Sequence, residues 1–146
     1  MSLPPLPQSA IVIAAEAADW RAAVTLAGDA LARSGATTPR YSNEMIRMIE
    51  EHGPYVVIAP GLALAHARPG PEVLADGLSI VTLAEPVSFG HPHNDPVRVI
   101  LGLAVTSASQ HLAAVAAVAN VFNDSTAIAD LAAATSADEV QKIMHA

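Results

Sequence analysis

The histidine at position 66 has both the type and the placement of a reactive residue. His66 ends a short apolar run, Leu62 to Ala65, and opens a segment containing Arg68 and Pro69. Functional side chains often lie where a strand gives way to a loop. A neutral imidazole is a competent nucleophile near pH 7, and a hydrogen bond to one ring nitrogen decides which nitrogen stays free. A histidine hydrogen-bonded for structure alone would fit the same position, so both interpretations stay open.

A second histidine, His111, follows a pattern typical of a helix start. Ser107-x-x-Gln110 has the spacing of a capping box, which places His111 in the first turns of a helix. That end of a helix exposes backbone N–H groups and attracts anions. A phosphoryl group on a nearby His66 could be held by this helix end, with His111 as a hydrogen-bond donor. The alternative is a solvent-facing histidine without a role of its own.

A third group of histidines has the composition of a metal site. In His91-Pro92-His93-Asn94-Asp95, two histidines and a carboxylate could bind zinc, and His111 could complete four ligands. The segment is punctuated by Gly and Pro, however, and polar residues are ordinary in such loops. A non-catalytic, histidine-rich metal-binding module therefore stays as an alternative function. Of the other histidines, His52 is predicted to lie at a helix end, and His145 is uninformative.

The composition excludes several classes of function. The net charge of −7 argues against a nucleic-acid partner. The absence of cysteine excludes disulfides, thiolate zinc sites and cysteine nucleophiles. No phosphate-binding glycine motif is present, and the only lysine is Lys142, so no nucleotide cofactor is expected. No basic segment precedes an apolar run at the N-terminus, so we expect a cytoplasmic protein without membrane insertion.

Hydrophobic periodicity predicts strands and helices that are mixed along the chain, as in a three-layer α/β domain. In the helix after Ser107, the apolar stripe is predicted to be Leu112, Val115, Val118 and Ala119. The predicted strands are 11–14, 55–59, 62–66, 78–83 and 97–105. The predicted helices run from Trp20 to near Gly35, from Pro39 to Gly53, from Ser107, from Asn123 through Leu131, and from Ser136 to the C-terminus.

Several short motifs occur in a fixed order: Trp20-x-x-Ala23-Val24, Pro39-Arg40-Tyr41, Glu51-His52-Gly53-Pro54-Tyr55, Ala59-Pro60-Gly61-Leu62-Ala63 and Asn94-Asp95-Pro96-Val97, with His111 further on. In these motifs the chain resembles the enzyme IIA components of the bacterial phosphotransferase system, of the fructose–mannitol type and most similar to the ascorbate-type members. The resemblance covers nearly the whole chain. It implies one domain, residues 1–146, with a mixed sheet of about five strands and helices on both faces.

The resemblance also implies a function and two site residues. In the family, a histidine after the short strand accepts a phosphoryl group from the phosphocarrier protein HPr. It then passes the group to a cysteine of the IIB partner, which serves the membrane component IIC. That histidine falls on His66, the second active-site histidine falls on His111, and neither a metal nor another cofactor is implied. The IIC component selects the sugar, so this chain does not reveal it. A regulatory IIA paralogue that feeds no transporter is the alternative, and a homodimer stays open.

Three positions near His66 depart from the family pattern. Family members usually have Pro before the active histidine and Gly after it, whereas this chain has Ala65 and Ala67. Loss of Pro is expected to loosen the strand end, and Ala67 would be strained if the loop needs positive φ. The arginine of the mannitol-type members aligns with Met48, which leaves Arg47 and Arg68 as candidate substitutes.

The segment around His66 is poor in charge. From Tyr55 to Pro71 the chain contains no Asp or Glu, and Arg68 is its only formally charged residue. A partner is therefore predicted to dock through an apolar patch around the His66 loop, as suits brief and weak encounters.

Overall fold

Five strands form one mixed sheet in the computed structural model, which describes residues 3–146. The sheet order is β1-β4-β5-β3-β2, in which β1 runs parallel to β4 and β3 parallel to β5, while the pairs β4–β5 and β2–β3 are antiparallel. The strands are β1 (Ile11–Ala15), β2 (Val57–Ala59), β3 (Leu62–His66), β4 (Gly77–Val87) and β5 (Val97–Ala104). The predicted mixed sheet is confirmed.

Helices cover both faces of this sheet. Alternate residues of a strand point to opposite faces, and β3 shows this directly: Ala63 and Ala65 belong to one apolar core, Leu62 and Leu64 to the other. The first core includes α1 and α2, and the second includes α3, α4 and α5. The helices are α1 (Trp20–Arg33), α2 (Tyr41–His52), α3 (Ala108–Val121), α4 (Ala127–Ala133) and α5 (Ala137–Met144). The three-layer α/β architecture is confirmed.

The parallel pair β3–β5 decides where the candidate residues lie. Its register runs from Leu62 opposite Val99 to His66 opposite Leu103, so both strands end at the same edge of the sheet. The chain leaves β5 at Ala104 and enters α3 at Ala108. The end of β3 and the start of α3 are therefore brought together, although they are distant in sequence.

Side-chain caps begin two of the helices as predicted. Ser107 Oγ accepts a hydrogen bond from the Gln110 N–H, and Ser136 Oγ accepts one from the Glu139 N–H. The predicted start of α2 at Pro39 is wrong, because the helix begins at Tyr41. The Thr38 carbonyl accepts a hydrogen bond from the Tyr41 N–H, which places Pro39 in a turn ahead of the helix.

Two strand boundaries differ from the prediction by more than one residue. β4 continues from the predicted end at Leu83 to Val87, through a break in register between Thr82 and Val87 that the local apolar pattern does not signal. β2 begins at Val57 and not at Tyr55, because the Tyr55 and Val57 N–H groups bond back within the preceding turn. Tyr55 therefore lies outside the sheet.

Candidate functional site

The ring of His66 is oriented by its own strand. His66 is the last residue of β3 and is half-buried, and its Nδ1 lies 2.9 Å from the carbonyl oxygen of Leu64. A carbonyl oxygen only accepts hydrogen bonds, so Nδ1 carries the proton and donates it. The second ring nitrogen, Nε2, therefore keeps a free lone pair.

The surroundings of His66 favour the neutral ring. Burial is the main cause that lowers its pKa from the ordinary 6.5, because the charged form loses hydration. The hydrogen bond to Leu64 opposes this shift, and the nearby His111 adds to it. The pKa of His66 is therefore held below its ordinary value, and near pH 7 the ring is an uncharged nucleophile.

His111 lies beside His66 and, as predicted, at the start of a helix. The two ring centroids are 5.2 Å apart, and the rings are inclined by 45°. The His111 backbone N–H donates to the Ser107 carbonyl, which fixes this residue in the first turn of α3. The partly positive end of α3 is thus close to both rings.

The two histidines share an open cleft of about 590 Å³. Its mouth carries two exposed apolar side chains, Leu112 at 73% and Tyr55 at 40% exposure. None of its lining residues is acidic, so the charge-poor surface predicted from the segment 55–71 extends onto α3. The lining residues are Met48, His52, Tyr55, His66, Ala67, Arg68, Pro69, Ala108, His111 and Leu112.

Three lining residues carried no functional signal in the sequence. The rings of Tyr55 and His66 form a T-shaped pair, with centroids 5.6 Å apart and planes at 90°. The His52 ring forms a second T-shaped pair with Tyr55, with 6.2 Å between the centroids. His52 is the last residue of α2, as predicted, and it also lines the cleft. The third is Leu112, predicted to belong to the apolar stripe of α3. The sequence signal that includes Tyr55 is the motif Glu51-His52-Gly53-Pro54-Tyr55, which belongs to the family resemblance.

Of the predicted apolar stripe of α3, only Val118 is buried, and the prediction is wrong for Leu112, Val115 and Ala119. Leu112 and Val115 are exposed, whereas the buried residues of this helix are Ala114, Ala117, Val118 and Val121. The helix is rich in Ala and Val on every side, so no polar face marked its orientation. Its rotation brings Leu112 to the cleft together with His111.

In the His91–Asp95 loop, unlike the cleft, the side chains of both end residues accept hydrogen bonds from the loop backbone. His91 Nδ1 accepts hydrogen bonds from the backbone N–H groups of His93 and Asn94, at 3.1 and 3.0 Å. The Asp95 carboxylate accepts from three further backbone N–H groups of the loop, those of Phe89, Gly90 and His91. The loop precedes β5 and so lies at the far end of the sheet from His111. Within residues 3–146, no three His, Cys, Asp or Glu side chains are placed to hold a metal ion.

Comparisons with known proteins show the family of this chain. Residues 5–146 match the family described as phosphoenolpyruvate-dependent sugar phosphotransferase system, EIIA 2. The chain belongs to this family. It is similar to the ascorbate-specific PTS system EIIA component of Salmonella typhimurium, with 38% identity over 133 residues, 90% of this chain and 86% of that protein. The resemblance inferred from the sequence is confirmed.

Solved EIIA structures share the fold. The Escherichia coli mannitol enzyme IIA, in complex with phosphorylated enzyme IIB, superposes with a TM-score of 0.85 at 25% identity, covering 97% of both chains. The nitrogen regulatory protein IIA-Ntr of Neisseria meningitidis superposes with a TM-score of 0.80 at 27% identity, covering 95% of both chains. Among residues 3–146, no helix is long and apolar enough to cross a membrane.

The two alanines that depart from the EIIA pattern are accommodated without strain. Ala67 does not have a positive φ, a conformation that non-glycine residues within 3–146 adopt only at Ala14 and His145. Glycine is therefore not required after His66. Ala65 is buried and pairs with Gly102 in the β3–β5 ladder, which keeps the strand end in register without Pro.

The two candidate substitute arginines differ in position. Arg68 lines the cleft beside His66, together with Met48. Arg47 lines a neighbouring pocket that includes neither His66 nor His111, and it forms an ion pair with Glu44. Arg68 is therefore the arginine that the fold brings to the histidines.

Proposed function

We propose that this EIIA-family protein is a cytoplasmic phosphocarrier that accepts a phosphoryl group on Nε2 of His66 from HPr and passes it to a IIB component. The observation that carries the proposal is the hydrogen bond from His66 Nδ1 to the Leu64 carbonyl. It leaves Nε2 as the free nitrogen of a neutral ring in an open cleft.

The transfer needs little covalent chemistry from the protein. The Nε2 lone pair attacks phosphorus, the P–N bond of the donor phosphohistidine breaks, and its electron pair returns to the donor ring. In the second transfer a cysteine thiolate of IIB attacks phosphorus, and the pair of the new P–N bond returns to His66. Catalysis then rests on placement and on stabilising spread negative charge.

Three features near His66 can stabilise that charge. His111 offers a ring N–H within reach of a group on Nε2, given the 5.2 Å between the ring centroids. The start of α3 adds a partly positive helix end. Arg68 supplies a full positive charge at the cleft wall. No metal or nucleotide is needed, because the donor already carries the phosphoryl group.

Relatives support a transport role of the ascorbate type. The Salmonella typhimurium relative is named ascorbate-specific, and a mannitol-type relative is solved with its phosphorylated IIB partner. The exposed apolar side chains of Leu112 and Tyr55 at the cleft mouth suit partners that bind briefly and leave after transfer. We therefore place this protein between HPr and the IIB of an ascorbate-type transporter.

A regulatory role is the second candidate. It is supported by the similarity to the IIA-Ntr protein of Neisseria meningitidis, which shares the fold over nearly its whole length. Both roles use the same phosphorylated histidine. They differ in whether a IIB protein removes the phosphoryl group.

Phosphorylation in vitro tests the proposal. We expect incubation with enzyme I, HPr and phosphoenolpyruvate to add one phosphoryl group by intact mass, labile in acid and stable in base. His66→Ala should abolish the addition, whereas His93→Ala, an exposed histidine of the far loop, should label like the wild type. A label that persists in His66→Ala would refute the assignment of His66.

A second incubation separates the two roles. When an ascorbate-type IIB protein is added to the phosphorylated chain, the transport role predicts that the label moves to the IIB cysteine. Label that stays on this chain while HPr can still remove it would favour the regulatory role.

A further inference from the structure

A buried tyrosine joins the two strands at the point where they separate beside His66. Tyr41 is the first residue of α2, and its side chain is 1% exposed. Its hydroxyl donates a hydrogen bond to the Leu103 carbonyl at 2.7 Å and accepts one from the Ala67 N–H at 3.0 Å. A hydroxyl has one donor and two acceptor positions, so both bonds can form at once.

The bridge lies directly after the last paired position of the ladder. His66 pairs with Leu103, and Ala67 is the next residue along the chain. In a continuing parallel ladder the Ala67 N–H would bond directly to a carbonyl of β5. Here the Tyr41 hydroxyl stands between the Ala67 N–H and the Leu103 carbonyl. The strands therefore part at His66 while their buried polar groups stay satisfied.

The backbone of His66 is thus held from both sides. On the N-terminal side, the Leu64 N–H donates to the Val56 carbonyl at 2.8 Å, which fixes the residue whose carbonyl receives Nδ1–H of His66. On the C-terminal side, the hydroxyl of Tyr41 holds the Ala67 N–H. Loss of either anchor would let the ring turn away from Leu64.

We propose that Tyr41 is a positioning residue for phosphoryl transfer: its buried hydroxyl fixes the backbone after His66 so that Nδ1 stays bonded to Leu64 and Nε2 stays free. Tyr41 acts through the backbone and not on the phosphoryl group. This inference rests on the proposed function of His66, which the wild-type labelling experiment tests separately.

The hydroxyl keeps its proton throughout the physiological range. Burial is the main cause that raises the pKa of Tyr41 to about 12, and the Ala67 backbone hydrogen bond opposes the shift. The Tyr41 hydroxyl can therefore donate its hydrogen bond to the Leu103 carbonyl at any physiological pH. Because α2 is anchored in the core through the buried Met45 and Ile49, the ring itself has a rigid base.

Tyr41→Phe is the direct test, since it removes only the hydroxyl. We expect HPr-dependent phosphorylation of His66 to slow by between about tenfold and a hundredfold, the cost of a small misplacement of reacting groups. Thr82→Val is the matched control, because Thr82 is 1% exposed and its hydroxyl also accepts one backbone N–H, that of Ala14, at 2.8 Å. It should lower the melting temperature while leaving the transfer rate unchanged.

A spectroscopic readout separates positioning from stability. In ¹⁵N NMR of the unphosphorylated protein, wild-type His66 should be the pure Nδ1–H tautomer, and Tyr41→Phe should show a mixture of tautomers. Folded Tyr41→Phe protein with wild-type rate and a pure Nδ1–H tautomer would overturn the inference, while wild-type labelling would leave the proposed function intact. An equal loss of rate in Thr82→Val would also overturn it.

Hydrogen exchange on the wild type gives a test without any variant. The Ala67 amide lies outside the strands, and its hydrogen bond is the one to the buried Tyr41 hydroxyl. We expect its exchange to be as slow as that of Ala65 within β3. Exchange at the rate of an open loop would show that the bridge does not hold, whether or not Tyr41→Phe folds.

Discussion

Two groups of histidines lie at opposite ends of the β5 strand, and they differ in what their ring nitrogens contact. At the start of β5, His91 Nδ1 receives two backbone N–H groups of its own loop. At the other end, His66 Nδ1 is bonded to the Leu64 carbonyl, and the His66 ring lies beside that of His111 in an open cleft. The first arrangement closes a turn, and the second leaves a nucleophile free.

The difference teaches that histidine content alone does not mark a site. The loop has more candidate metal ligands close together, with two histidines and a carboxylate within five residues. The His91 Nδ1 atom and the Asp95 carboxylate nevertheless accept hydrogen bonds from backbone N–H groups. The cleft is built from residues far apart in sequence, and the hydrogen bond from His66 Nδ1 to Leu64 leaves the other ring nitrogen of His66 free. The two regions are distinguished by the hydrogen-bond partners of their side chains, and not by how many histidines lie close together in the sequence.

The largest expected difference between cleft and loop is in the phosphorylation rate after one histidine of each group is replaced by alanine. His111→Ala should slow phosphorylation of His66 by about 10²–10³-fold, the usual cost of losing one donor to a developing charge, and still leave the protein phosphorylatable. His91→Ala should transfer at the wild-type rate. Rates come from quenched-flow labelling with phospho-HPr.

For stability the order of the two variants should be reversed, with the larger loss in His91→Ala. His91→Ala removes the acceptor for two backbone N–H groups and should lower the free energy of unfolding by about 1 kcal/mol in urea titration. His111→Ala should change it less. A slow His91→Ala protein, or a His111→Ala protein of wild-type rate, would contradict the contrast between cleft and loop.

A smaller effect is expected from charge placed at the cleft mouth. Leu112→Glu introduces a negative charge on a residue that is 73% exposed beside His111, and transfer from phospho-HPr should slow by about tenfold. Leu74→Glu is the matched control, since Leu74 is 62% exposed and outside the cleft lining. Equal rates for both variants would show that HPr does not approach over α3. Ala67 is unsuitable for such a test because it is buried.

The smallest effect concerns pH. Burial lowers the pKa of His66 from 6.5, so the transfer rate should stay constant as pH falls through 6.5 and decline only below it. As pH falls from 6.5 towards the lowered pKa of the folded state, His66 takes up a proton in the unfolded chain before it does so in the folded chain. Stability from His66 is therefore complete above 6.5 and decreases as pH falls from there through the lowered pKa. His66→Asn should remove that part of the pH dependence in urea titrations from about pH 8 to 5.

Much of the fold was predictable from the sequence because its signals are local. Ser107 and Ser136 mark helix starts through side-chain caps, and Gly53 ends α2 with a positive φ of 82°. The apolar run that forms β5 lies between helices on both faces, as its composition indicates. His66 and His111 were named as candidates from strand-end and helix-start patterns together with the family resemblance.

The sequence by itself therefore determined the order of helices and strands, the family and the two candidate histidines. The tertiary structure decided which residues share the cleft. The parallel pairing of β3 with β5 brings His66 to the start of α3, the rotation of an evenly apolar helix exposes Leu112, and Tyr41 reaches Ala67 across the core. These contacts join residues from separate elements, and their geometry depends on how whole helices pack against the sheet. No local pattern records that packing, because neighbours in space are distant in the chain.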